Sequence, residues 1–353
     1  MQNIRAEILL GTNDLRADIG FFTKTLGFRM EEIFPADDPR VAKLSGYGLQ
    51  MRLDQGGDLA PGVVRILCDD PVLIANGAAD LTSPGGIRVQ IAETAPPFVQ
   101  PATAHEFVIR RLADKTAWVV GRADMEYRDL IPSRLGGSII ASHIRIPGGG
   151  PVPDMVHYHS VGFQLIYCYK GWVDLVYEDQ GEPFRLYAGN CVIQPPKIRH
   201  RVLFASDSLE VIEIGVPAEH VTTIDHNTEL PTETFAPDRE WDGQTFVHHK
   251  ADNANWAPHP RPGFVARDTS IAANAKGVAD VQVLRPDGPS DWSDHGADIH
   301  FNFVLSGGLT LTGHDQPAHD LEEGDAFVIP PGLATRYSNP SDDLEILEVR
   351  LPA

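Results

Sequence analysis

The sequence predicts a mainly β protein: two jelly-roll β-barrel domains preceded by a small α+β domain of βαβββ order. Three observations carry that expectation. From residue 98 to the end the chain repeats itself with an offset of roughly 136–139 residues, so that Tyr127-Arg128-Asp129 recurs as Ala266-Arg267-Asp268, Gly171 as Gly307 and Gly189 as Gly324. Each copy is a run of short apolar segments broken by Gly, Pro and Asp, the pattern of an antiparallel barrel rather than of alternating strands and helices. Ahead of the copies, residues 6–53 pass from strand to helix and back to three strands.

In chain order, residues 6–10 form an apolar strand, and Asn13-Asp14 sets a capping side chain before Leu15. Leu15, Ile19, Phe22 and Leu26 recur at helical spacing, and Gly27 is placed to end that helix. Segments 29–34, 41–44 and 48–53 then alternate as strands do. Two more strands are expected at 63–68 and 86–93, too close together for a second complete set of this kind. Ala95-Pro96-Pro97 to Pro101 reads as a linker. The domains expected are 1–95, 96–230 and 231–353.

Composition sets limits on partners. A chain of 353 residues with 42% hydrophobic content can bury several cores. A formal net charge of -20, with Lys and Arg scattered, argues against nucleic acid and anionic membrane surfaces. No apolar stretch reaches the roughly 18 residues of a membrane span, and three cysteines are too few for a disulfide framework, so a cytoplasmic protein is expected. The expected partner is a small-molecule substrate, and a homodimer is compatible with the reading.

The chemistry concentrates at His157-Tyr158-His159. Side chains alternate along a strand, so these two imidazoles project from one face and can reach one point. His200 follows a Gly189 to Pro195 turn and short apolar run, from which a neighbouring strand could bring a third imidazole alongside. Read alone, the three are also compatible with separate hydrogen-bonded histidines.

The same residues resemble the two motifs of the cupin superfamily. His157, His159, Gln164 and Gly171 fall on the first motif, Gly189, Pro195 and His200 on the second. Gln164 replaces the usual glutamate, Lys197 the second motif's second glycine, Phe204 a frequent asparagine, and Gly150 comes one residue early. The resemblance implies a bicupin with a divalent metal on His157, His159 and His200. In the second copy those positions hold Ser293, His295, His300 and Thr335, a poor donor set for a transition metal, although Gly324, Pro330, Gly332 and Asn339 follow the second motif closely. The N-terminal phrase Phe21-Phe22-Thr23-Lys24-Thr25-Leu26-Gly27-Phe28 resembles one module of the vicinal oxygen chelate (glyoxalase-like) superfamily. With no histidine before His105, and only Glu7, Glu93 and amides to offer, a packing or dimerisation domain is expected there rather than a metal site.

Three neutral imidazoles leave an ion its full charge and open positions, which favours catalysis over a structural role. Gln164 is the candidate catalytic residue, as a weak ligand, a hydrogen-bond partner of a bound molecule, or an orienter of His157 or His159. Ile166 and Cys168 share its face and are candidate substrate contacts, although a buried thiol such as Cys168 is more often an inert small hydrophobe. Arg145 is a candidate partner of a substrate carboxylate or a plain surface charge. Together with the resemblance these features favour a mononuclear non-haem Fe(II) dioxygenase acting on a small oxygenated, aromatic or dicarbonyl substrate. The alternatives are a Zn, Mn or Ni lyase, isomerase or hydrolase, and a regulatory bicupin that only binds a ligand.

Overall fold

The computed structural model describes residues 7–35, 39–56, 58–94, 99–114 and 118–352. Of the expected linker at 95–101, residues 95–98 lie outside the described residues. Strands dominate, and the chain divides into two units, Met1–Pro97 and Phe98–Ala353. No helix among the described residues is long and apolar enough to cross a membrane.

In the first unit the helix Leu15–Gly20 starts where the sequence places its cap: the Asp14 carboxylate accepts the Ala17 N–H at 3.0 Å. It runs into a π-helical turn, Phe21–Thr25, and Gly27 closes it at φ +74, a backbone conformation that costs glycine little. Leu15, Phe22 and Leu26 bury against Leu44, Met51 and Leu53 of a four-stranded sheet. That sheet runs Ile8–Thr12, Leu49–Gln55, Val41–Gly46, Arg29–Phe34, the first pair parallel, as βαβββ connectivity requires. A second sheet pairs Val63–Cys68 parallel with Arg88–Glu93 and adds Asp80–Thr82, a strand too short to show in the sequence pattern.

The second unit holds the two copies. In the first, a seven-stranded sheet packs over a second sheet of Phe184–Tyr187, Trp172–Tyr177, His200–Ala205, His157–Ser160 and Val221–Ile224. In the other copy, Phe264–Asp268, Asp280–Pro286, Glu345–Leu351, Ile299–Ser306 and Ala326–Val328 repeat the first sheet's order, facing a three-stranded sheet. Alternation along Phe163–Lys170 sorts its side chains. Phe163, Leu165 and Tyr167 join Phe301, Phe303, Leu347 and Val349 in a core between the copies, while Cys168, with Ile166 against it, faces its own barrel's core.

The copies also trade edge strands. Val108–Arg110, ahead of the first barrel in sequence, pairs with Ala326–Val328 of the second. Val247–His249, ahead of the second barrel, pairs with Cys191–Ile193 of the first. Two repeat-related arginines follow the same rule: buried Arg128 donates to the Gly324 carbonyl at 2.5 Å and Arg267 to the Gly189 carbonyl at 3.2 Å.

Candidate metal centre

His157 and His200 are direct cross-strand partners in antiparallel register, and His159 lies two residues on along the same face. Side chains opposite each other on neighbouring strands stand about 5 Å apart at Cβ, so the sheet itself converges the three imidazoles. Their ring centroids are 4.2, 5.0 and 5.1 Å apart, and one nitrogen from each lies within 4.8 Å of the others. All three are buried. Among the described residues this is the one such group of His, Cys, Asp or Glu.

The orientation of each ring is fixed from behind. His157 Nδ1 faces the Met155 carbonyl at 2.8 Å and His200 Nδ1 the Ile198 carbonyl at 3.0 Å, which selects the Nδ1–H tautomer and turns Nε2 forward. His159 Nδ1 faces the Thr222 hydroxyl at 3.0 Å, and the His220 ring stacks on His159 at 4.3 Å. Burial pushes all three imidazoles below the usual histidine range. Arg122 adds to the effect at His157, and the neighbouring imidazoles add to it at His159 and His200. Neutral rings with forward Nε2 lone pairs are the form a divalent ion binds, so the donor set fits the group that the motifs imply.

The residues chosen from the sequence divide around this centre. Ile166 lines the same cavity as the triad. Gln164 shares the face of Ile166 but is not among the residues lining the cavity: its amide N–H donates to Glu213 Oε1 at 2.8 Å. Cys168 is fully buried among apolar side chains, and burial pushes its thiol up to about 12, so it packs rather than reacts. Arg145 is turned away. Its guanidinium bonds Glu126 at 2.6 Å and stacks over Trp118 at 4.0 Å, while its neighbours Ile144 and Ile146 take the cavity face.

The cation at the centre is instead Arg122, which the sequence reading did not single out. Its Nη2 stands 3.0 Å from His157 Nε2, and its Nη1 is tied to the buried Asp154. Asp154 is itself held by the Met155 and Val202 backbone N–H groups. Glu213, also missed, lines the cavity from the strand Leu209–Val216. The repeat could have flagged both, since Arg122 and Glu213 recur as Arg261 and Glu348.

In the second copy Ser293 and Thr335 pair as His157 and His200 do, but bring no imidazoles. Buried Arg261 reaches the Thr335 hydroxyl at 3.1 Å and stacks over Tyr337 at 3.8 Å. His300 donates to Glu348 Oε1 at 2.8 Å, and His259 lies 3.2 Å from Oε2. The space of a metal site is filled by an internal polar network.

Comparison with known proteins agrees with this architecture. The cupin domain family matches residues 280–350, within the second barrel. No curated protein matches the chain in sequence. Among solved structures, the protein Ylba from E. coli is 14% identical with a TM-score of 0.51, covering 71% of this chain and 93% of that one. A mutant of Bacillus subtilis oxalate decarboxylase is 14% identical with a TM-score of 0.51, covering 71% and 79%. The Lactobacillus farciminis oxalate decarboxylase in its formate complex is 13% identical with a TM-score of 0.53, covering 72% and 90%. Residues 280–350 thus match the cupin domain family, and the fold of the two copies is similar to that of these solved structures.

Proposed function

We propose that the first barrel is a mononuclear metalloenzyme site acting without dioxygen on a small carbonyl compound that carries a carboxylate. The observation that carries this reading is Arg122 beside the triad, at 3.0 Å from His157 Nε2. A divalent ion on the three imidazoles would polarise a substrate oxygen as a Lewis acid. Arg122 would meet the carboxylate: Nη1 is fixed by Asp154, which leaves the Nη2 edge to turn to an anionic group. The apolar wall, including Ile144, Ile166, Leu175 and Val211, excludes water around that ion pair and strengthens it. The structurally similar oxalate decarboxylases act on a small dicarboxylate, in line with this class of substrate.

The same apolar wall favours a second reading, an Fe(II) dioxygenase for an aromatic or dicarbonyl substrate, since such a cavity admits dioxygen and a flat apolar molecule. One experiment separates them. Protein loaded with Mn, Fe, Zn or Ni is offered small 2-oxo acids, dicarboxylates, catechols and β-diketones, with oxygen uptake and product formation followed together. Turnover of a carboxylate without oxygen uptake supports the first reading. Substrate-dependent oxygen uptake with iron replaces it by the second, and turnover of neither kind with any metal refutes both.

A further inference from the structure

We infer that Glu213 is the carboxylate of the metal centre, acting beside the three imidazoles rather than as a fourth ligand, and that Gln164 is its positioning residue. The inference deepens the reading of the triad as a metal site and rests on it.

Three neutral imidazoles would place two positive charges in a largely apolar cavity, an arrangement that costs much unless a counter-charge is near. The position where the cupin motif carries a glutamate is here Gln164, which cannot supply that charge. It instead hands its N–H to Glu213 on the adjacent strand, at 2.8 Å, with the amide carbonyl buried and unbonded. The amide N–H thereby fixes the position of that carboxylate from the neighbouring strand.

Strand alternation shows where Glu213 faces. Leu209, Val211 and Glu213 all line the triad's cavity, and Glu213 sits opposite Ile166, another lining residue. It also borders an outer recess together with Arg122, Tyr127, His159 and His220, so it stands between the recess and the inner cavity. The nitrogens that converge within 4.8 Å belong to the imidazoles, while the Glu213 carboxylate is engaged by the Gln164 amide. From there it can accept a hydrogen bond from a water or hydroxyl at the centre.

The second copy supplies independent support. Glu213 lies opposite Ser142, and Glu348 lies opposite Gln282, one repeat further on. Glu348 is held by His300 at 2.8 Å, and His300 occupies the position of Gln164. The glutamate and its neighbouring-strand holder therefore occur twice. In the second copy His259 and Arg350 also approach the remaining oxygen, at 3.2 and 3.4 Å.

The test uses the full chain and the metal alone. Mn(II) affinity is measured by calorimetry, and the visible spectrum of the Co(II)-loaded protein reports the ligand set. Glu213→Gln should weaken Mn(II) binding by roughly 10- to 100-fold, the range of outer partners, while the Co(II) spectrum keeps the intensity of an unchanged ligand set. Gln164→Ala should weaken binding by a smaller factor and should add nothing in the Glu213→Gln background. Near-UV circular dichroism identifies folded variants, and Glu213→Asp, which keeps the charge, should bind closer to wild type than Glu213→Gln. A folded Glu213→Gln with wild-type affinity, or Glu213→Asp as weak as Glu213→Gln, overturns the role of Glu213. Additive losses in the double variant overturn the role of Gln164. Retention of metal by His159→Ala would instead refute the triad itself, a separable outcome.

Discussion

The two barrels share a strand order, a register and a pair of equivalent glutamates, yet one presents converging imidazoles and the other an internal polar network. The difference comes down to a cross-strand pair. Where His157 faces His200, Ser293 faces Thr335, and the arginine of the same repeat position turns from the edge of the site into its filling. A β-scaffold fixes where side chains point and leaves open what they are. Losing two imidazoles makes Arg261 a structural residue, while keeping them leaves Arg122 at the edge of a cavity.

The largest expected effect comes from moving the ligands. His159→Ala or His200→Ala should reduce bound metal from about one equivalent per chain to near zero and abolish turnover, because two imidazoles hold a divalent ion poorly. His295→Ala should leave the stoichiometry unchanged. Elemental analysis after dialysis decides, and two tightly held equivalents in the wild type would break the contrast between the barrels.

Next come the arginines. Arg261→Ala should cost about 2 kcal/mol or more in denaturant unfolding, since it strips charged hydrogen bonds and the stacking on Tyr337 from a buried network. Arg122→Lys, which keeps a cation beside the buried Asp154 carboxylate but removes the planar fork, should change stability by less than about 1 kcal/mol. It should instead raise KM for a carboxylate substrate by roughly 10- to 100-fold. Equal stability losses would erase the distinction.

A smaller effect is expected from pH. Burial alone would raise the Glu348 carboxyl, but His300 and His259 outweigh it and hold it well below the ordinary 4.5. A carboxylate depressed in the folded state contributes stability above its unfolded value, and that contribution is lost as pH falls below about 4.5 toward the folded value. The melting temperature of the wild type should therefore drop more steeply between roughly pH 5 and 3 than that of Glu348→Gln. Parallel curves would show that the network contributes no such linkage.

The smallest effect lies in a turn. Lys197 adopts φ +65 where the second copy has Gly332 at φ +75. A non-glycine residue in this region is strained by about 1 kcal/mol, so Lys197→Gly should stabilise the protein by up to that amount, or less after glycine's greater unfolded-state freedom. Chemical denaturation measures it.

What could be read from the sequence was local or repeated. The capped helix, the alternating strands before residue 55 and the pair His157 and His159 follow from spacing within one element. His200 follows from a turn and a short run. Arg122 and Glu213 do not, because each reaches the triad across strands, through a register that no local pattern encodes. Arg145 was the arginine nearest the motif, yet its parity on the strand sends it outward, one residue out of phase with Ile144 and Ile146. The traded edge strands, three residues each, are too short to leave a periodic signal.

The trade of Val108–Arg110 for Val247–His249 means that neither copy is whole when the chain is cut once between them. Its connectivity is that of a strand-swapped homodimer whose protomers have been fused end to end. Fusion replaces a concentration-dependent encounter by a tethered one, at an effective concentration of roughly millimolar. It also lifts the demand of symmetry, under which every ligand lost from one protomer is lost from both. A fused pair can keep one site and convert the other into ballast, a resident partner that never dissociates.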